Sequence, residues 1–150
     1  MNLCLLGLGS NLNSPKRQLY TAIKAIKHLP KTNLLLVAPY YKNRAWGKKA
    51  VPDYYNTVAL IHTGLPCLTL LSYCQAIEKK QNRVQRVKNA ARPIDIDLLD
   101  YANLTMQHPK LTLPHPRMHE RDFVQVPLKF ILKKLALTAD YHAYMQGPPY

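Results

Sequence analysis

Apolar positions along the chain recur with two distinct periods, and their order outlines a fold before any single residue is considered. Asn2 to Leu8 is nearly continuous in apolar residues, the pattern of a buried strand, and Gly7, Gly9, Ser10 and Asn11 end it in a turn. Leu19, Ala22, Ile23, Ile26 and Leu29 then recur on one helical face, with Ser14 as the expected cap and Pro15 suited to the first turn. Leu34 to Tyr41 and Asn56 to His62 read as strands. Pro66 to Lys80 returns to the helical period, with Cys67, Leu70, Leu71, Cys74 and Ile77 on its buried stripe. In the next stretch Ile94, Ile96 and Leu98 alternate with Asp95 and Asp97. One face of that strand is therefore apolar, and the other carries two acids about 6.6 Å apart at about 3.3 Å per residue. The order strand, helix, strand, strand, helix, strand predicts an α+β protein with a ferredoxin-like βαββαβ core, an antiparallel sheet with both helices on one face. Beyond Tyr101 the pattern predicts a short extended piece at Leu111 to Pro114 and a His-, Arg- and Pro-rich loop from Pro114 to Phe123. A helix from Val126 to Leu137, started by Pro127, and a peripheral tail follow.

No repeat or low-complexity block divides the 150 residues, so a single domain spanning 1–150 is expected. Met1 to Leu8 has neither the basic leader nor the cleavage site of a signal peptide, and no apolar run approaches membrane-spanning length. Cys4, Cys67 and Cys74 lie inside apolar runs without metal-type spacing, which predicts buried, reduced thiols in a cytoplasmic protein. Charge changes the picture most. A formal +13 implies an anionic partner: nucleic acid, an anionic membrane or a polyphosphate. Lys79, Lys80, Arg83, Arg86, Lys88 and Arg92 crowd the connection before the acidic pair, and Lys42, Arg44, Lys48 and Lys49 form a second cluster.

Two like charges as close as Asp95 and Asp97 call for something positive between them. Magnesium, which is held by one or two carboxylates together with substrate phosphates, satisfies that need. A solvent-facing strand paired with Arg92 satisfies it equally. The glycines of the first turn do not make a phosphate loop, because the lysine and hydroxyl of that motif are missing. The connection from Asn43 to Tyr55 is too long for a tight hairpin and carries the only tryptophan, Trp46; it reads as a loop able to fold over a ligand or to pack on its own scaffold.

Four blocks in order carry a resemblance: Gly9-Ser10-Asn11-Leu12, Pro52-Asp53-Tyr54-Tyr55-Asn56, Arg92 with Asp95-Ile96-Asp97, and Leu113-Pro114-His115-Pro116-Arg117-Met118-His119-Glu120-Arg121. With them the chain resembles the hydroxymethyldihydropterin pyrophosphokinases of folate biosynthesis, to about Leu132. The resemblance implies a transferase that moves the terminal pyrophosphoryl group of ATP to 6-hydroxymethyl-7,8-dihydropterin and releases AMP. By the same resemblance Asp95 and Asp97 hold two Mg2+ ions, and Arg83 and Arg92 act with them in catalysis on the triphosphate. Thr112, His115 and Arg121 match the nucleotide side, and Leu71, Gln75, Glu78 and Leu98 the adenosine. Asn56 would read the pterin edge between Tyr54 and Phe123, with Asn43 and Trp46 beside it. Asn89-Ala90-Ala91 stands before Arg92 where the family often has Trp-Gly-Pro, a departure that bears on how that connection closes and on turnover. The expected partners are ATP and the pterin, bound by a monomer, with neither nucleic acid nor membrane.

A rival class ranks second: a small basic nucleic-acid binder on the same scaffold. The aromatic signature of such modules is absent from the strands, and the two acids would repel phosphate without metal.

Overall fold

The computed structural model describes residues 1–43, 53–81 and 93–137. The nearly continuous apolar run makes β1 (Asn2–Ser10), nine residues long. Helix α1 (Pro15–Lys27) follows with its proline in the first turn and Lys24 and Lys27 in the last, where they complement the helix dipole. Ser14 does not cap it as expected. That residue takes a left-handed backbone and makes no side-chain cap, and its carbonyl accepts from the amides of Arg17 and Gln18 instead.

The strand expected from Leu34 to Tyr41 is two strands, β2 (Thr32–Val37) and β3 (Tyr41–Asn43). Pro39 lies in the break and has no amide to give the ladder, and the amide of Ala38 bridges it by donating to the Val58 carbonyl. Both pieces pair with β4 (Tyr54–Thr63), whose other edge pairs with β1. Helix α2 (Cys67–Gln81) then leads to the acidic strand β5 (Asp95–Tyr101). The order β2-β4-β1-β5, antiparallel at every pair, is that of the ferredoxin-like sheet, with β5 at an edge.

The sheet is covered on both faces. Leu19, Ala22 and Ile26 of α1 and Leu70, Cys74 and Ile77 of α2 pack on Cys4, Leu6, Leu8, Ile96 and Leu98, which puts both helices on one face as the pattern predicts. The opposite face carries Leu5, Val58, Leu60 and Leu99 and is covered by Val124, Leu128, Ile131 and Leu135 of α3 (Asp122–Leu135). This helix corrects the expected start at Pro127. It begins at Asp122, and Pro127 sits buried inside it, early enough that one missing helical hydrogen bond is tolerated. Between β5 and α3 run a small hairpin, β6 (Met106–His108) with β7 (Leu111–Leu113), and a 3-10 turn, Met118–Glu120. The segment read as loop is thus partly helical. Cys4, Cys67 and Cys74 are free, and burial pushes the Cys74 thiol up to about 12, with Glu78 adding to the effect.

Candidate active site

Register builds the site. On β5, Asp95 lies opposite Gly9 of β1 and Asp97 opposite Gly7, and on the other side of β1 Gly9 lies opposite Asn56. These residues share the face that α3 covers, but they lie beyond its end. The missing side chains of two glycines therefore leave a trough between the acids and Asn56. A cavity of about 420 Å³ opens over it, and Arg117, Arg121 and the first turn of α3 form the far wall. Asp95, Asp97, Asn43, Tyr54, Asn56, Arg121 and Phe123, all expected at the site, line this one cavity.

Gly9 is required by contact rather than by backbone angle. A β-carbon built there would stand 2.5 Å from Oδ1 of Asn56, so the amide lies directly over the glycine. Its orientation is fixed from the other end, where Nδ2 of Asn56 donates to Oδ1 of Asn43 at 2.7 Å. Asn43 and Asn56 are diagonal neighbours across the β3–β4 pair, in which Asn43 faces Tyr54 and Tyr41 faces Asn56. Lys42 and Asp53, ion-paired at 3.7 Å, close the same pair. At the opposite wall the Arg121 guanidinium stands 5.5 Å from the centre of the Phe123 ring, a cation–π contact.

His115 is held against β5, where its amide donates to the Leu99 carbonyl at 2.8 Å. Its Nδ1 accepts from the Arg117 amide at 3.2 Å, so the neutral ring carries its proton on Nε2 and presents a donor there. Burial lowers its pKa below the ordinary 6.5; the nearby Arg121 and Arg117 charges act in the same direction and Asp97 opposes them.

The remaining expected residues are spread around the edge strand. Thr112 is exposed on the β6–β7 hairpin. Leu71, Gln75 and Glu78 belong to α2, on the other face of the sheet, and the Glu78 carboxylate accepts from the Ile96 amide at 3.3 Å. Leu98 is 2% exposed and packed in the α1–α2 core, which leaves its main chain as the part able to meet a nucleotide. Trp46, Arg83 and Arg92 lie outside the described residues. Sequence reasoning missed Gly7 as floor, Leu99 packed 3.3 Å from where a Gly7 β-carbon would be, and Thr57, Val124 and Arg117 as lining. Arg117 stands in the same Leu113–Arg121 stretch, four residues before Arg121, and that spacing is the available signal.

The donor set fits magnesium. Asp95 and Asp97 offer hard carboxylate oxygens on one face, over glycines that leave room for an ion and its phosphate ligands. Among the described residues no group of three or more His, Cys, Asp and Glu side chains is placed to hold a metal.

Comparison with known proteins meets the geometry here. Residues 5–133 match the model of the 7,8-dihydro-6-hydroxymethylpterin-pyrophosphokinase family. A 2-amino-4-hydroxy-6-hydroxymethyldihydropteridine pyrophosphokinase of Haemophilus influenzae is 45% identical over 132 residues, 88% of this chain and 82% of that protein. Proteins of the same name from Pseudomonas aeruginosa and Helicobacter pylori are 37% and 33% identical, over 90% and 85% of this chain and 83% and 79% of their own length. With cavity, register and relatives in agreement, this chain belongs to the 7,8-dihydro-6-hydroxymethylpterin-pyrophosphokinase family.

Proposed function

We propose that the cavity over Gly7 and Gly9 is where this chain carries out its family's reaction, pyrophosphoryl transfer from ATP to 6-hydroxymethyl-7,8-dihydropterin. The observation that supports the reading is the single row Asp95, Gly9, Asn56, which brings a carboxylate and a primary amide to opposite ends of one trough.

The pterin lies between Tyr54 and Phe123, flat rings that suit a flat heterocycle. Asn56 spends one N–H on Asn43 and keeps Oδ1 and its second N–H for the ring edge. A ring lacking the matching groups leaves that amide unpaired, which is how the site rejects it. Asn43 positions Asn56 by fixing the direction of the amide.

Asp95 and Asp97 hold two magnesium ions on this reading. Bound there, the metal neutralises charge on the phosphate oxygens and makes the pterin hydroxyl easier to deprotonate. The hydroxymethyl oxygen attacks the β-phosphorus, the bond from that phosphorus to the α-phosphate bridging oxygen breaks, and AMP leaves while the hydroxyl gives up its proton. Arg121 and Arg117 meet the phosphates with planar, permanently charged donors, and His115 donates from Nε2. Arg83 and Arg92 complete the set on the triphosphate. The adenosine passes over the edge of β5 toward Leu71 and Gln75, with Thr112, Glu78 and the main chain of Leu98 along the way.

On the same reading the chain works as a monomer in the cytoplasm; cavity walls drawn from one chain and free cysteines support it. Among the described residues no helix is long and apolar enough to cross a membrane. The test is AMP release from ATP and magnesium, with and without 6-hydroxymethyl-7,8-dihydropterin. Pterin-dependent AMP is expected; AMP formed at the same rate without the pterin, or none with it, refutes the reading.

A further inference from the structure

The first 52 residues contain nine lysines and arginines and not one aspartate or glutamate. The reaction accounts for little of this charge: of its six described members Lys42 pairs with Asp53 beside the cavity and Lys31 follows α1, while the other four lie on the outer face of α1, across the sheet from the cavity. At about 100° per residue, Lys16, Lys27, Tyr20, Lys24 and Arg17 all fall within about 100° of arc, opposite the buried Leu19, Ala22 and Ile26. The four cations are exposed and extend over about 16 Å of helix at about 1.5 Å per residue. At the centre of the arc stands Tyr20, 63% exposed, with Lys16 and Lys24 one turn away on either side. A phenol left in water among cations contributes nothing to the core. Tyr40 lies close enough to raise its own pKa through Tyr20, after the larger effect of burial, and Lys16 stands 5.3 Å from the centre of the Tyr55 ring. The face thus combines aromatic rings with a line of positive charge.

We propose that the outer face of α1 is a binding site for single-stranded nucleic acid, in which Lys16, Arg17, Lys24 and Lys27 contact phosphates and Tyr20 stacks on an unpaired base. Charge complementarity demands a polyanion, and the exposed ring selects one with accessible π-faces. An anionic membrane fits less well, because the apolar stripe of α1 is spent on the core and none remains on the outer face to enter lipid. The site departs from the sequence expectation of no nucleic-acid partner and stands apart from the catalytic reading.

The experiment titrates the full chain into a fluorescein-labelled oligo-uridylate and follows anisotropy over a salt series, with a duplex of equal length beside it. Four phosphate contacts give a slope of log affinity against log salt of about −3, at about −0.7 per contact for single strands. Lys24→Gln with Lys27→Gln should flatten that slope by about 1.4. Tyr20→Ala should weaken binding about tenfold, within the range of one stacked base, with the slope unchanged. Pterin-dependent AMP release at the parent rate in both variants shows that they fold and that catalysis is untouched. The proposal is overturned by no binding by the parent, by equal binding of the duplex, by loss no greater than in a Lys129→Gln, Lys133→Gln control on α3, or by indifference to Tyr20→Ala. Tighter binding to phosphatidylserine vesicles than to the oligonucleotide overturns it in favour of a membrane surface.

Discussion

Replacing Gly9 by alanine puts a methyl group 2.5 Å from Oδ1 of Asn56, whereas a carbon and an oxygen in contact need about 3.3 Å. One of the two must therefore yield by about 0.8 Å. The nearest atom outside Asn56, the Tyr55 carbonyl oxygen at 3.9 Å, is no obstacle, so the strain falls on the amide alone. Asn56 can escape by rotating off the trough floor, at the cost of its 2.7 Å bond to Asn43, roughly 0.5–1.5 kcal/mol. The protein then stays folded, but the amide no longer faces the pterin. A mismatched buried amide costs about 1–3 kcal/mol, which corresponds to a rise in pterin KM of roughly 5- to 150-fold. The assay is AMP release at saturating ATP and magnesium with the pterin varied, together with KM for ATP and a melting curve. Gly7→Ala is the internal control, since its methyl would touch only the flexible end of Leu99, at 3.3 Å. A Gly9→Ala enzyme whose pterin KM stays within about twofold of the parent removes the argument that the amide reads the ring across a bare glycine.

Asp95→Asn and Asp97→Asn should each lower the AMP-release rate by about a hundredfold or more, and magnesium titration should show weakened metal dependence if the carboxylates are ligands. Asn43→Ala frees the Asn56 amide and should raise the pterin KM about tenfold with the ATP KM unchanged, while Asn43→Asp, which keeps the accepting oxygen, should restore it; equal behaviour of the two would contradict a positioning role. His115 binds its proton less readily in the folded chain than in the unfolded one. The stability it contributes is therefore fully present above the unfolded value of 6.5 and is lost as pH falls through the lowered folded value. Melting curves run across that window should show a steeper acid loss for the parent than for His115→Asn, which offers Arg117 an acceptor that does not titrate.

Much of the fold was legible because local pattern and packing agree. The period of α1 buried Leu19, Ala22 and Ile26 and half-buried Ile23 and Leu29, and alternation in β5 sent Ile96 and Leu98 to the helices and the acids to the cavity. Proline misled twice, for opposite reasons. Pro39 broke a run that its neighbours' propensity continued, and Pro127 looked like a helix start although the helix had begun at Asp122. The face that α3 covers had no local signal, since covering a sheet face is a relation between distant segments. The glycine floor was hidden for the same reason. Gly7 and Gly9 look like turn residues in one dimension and become a trough only once Asp97, Asp95 and Asn56 are registered against them. The four-block resemblance supplied the residues of the site, and register supplies the geometry that joins them.

The contact between Arg121 and Phe123 makes the two halves of the cavity thermodynamically dependent. On the proposed assignment one residue serves the triphosphate and the other the pterin, yet the guanidinium rests 5.5 Å from the ring centre. A nucleotide that draws the guanidinium away alters the ring face offered to the pterin. Linkage then requires the pterin to change nucleotide affinity by the same factor. A cation–π contact between half-buried partners contributes about 0.5–2 kcal/mol, which bounds this cooperativity at roughly two- to thirtyfold. Inhibitors built for the two halves separately would therefore not combine as independent binders, and one that spans both would have to replace this contact as well as fill the space around it.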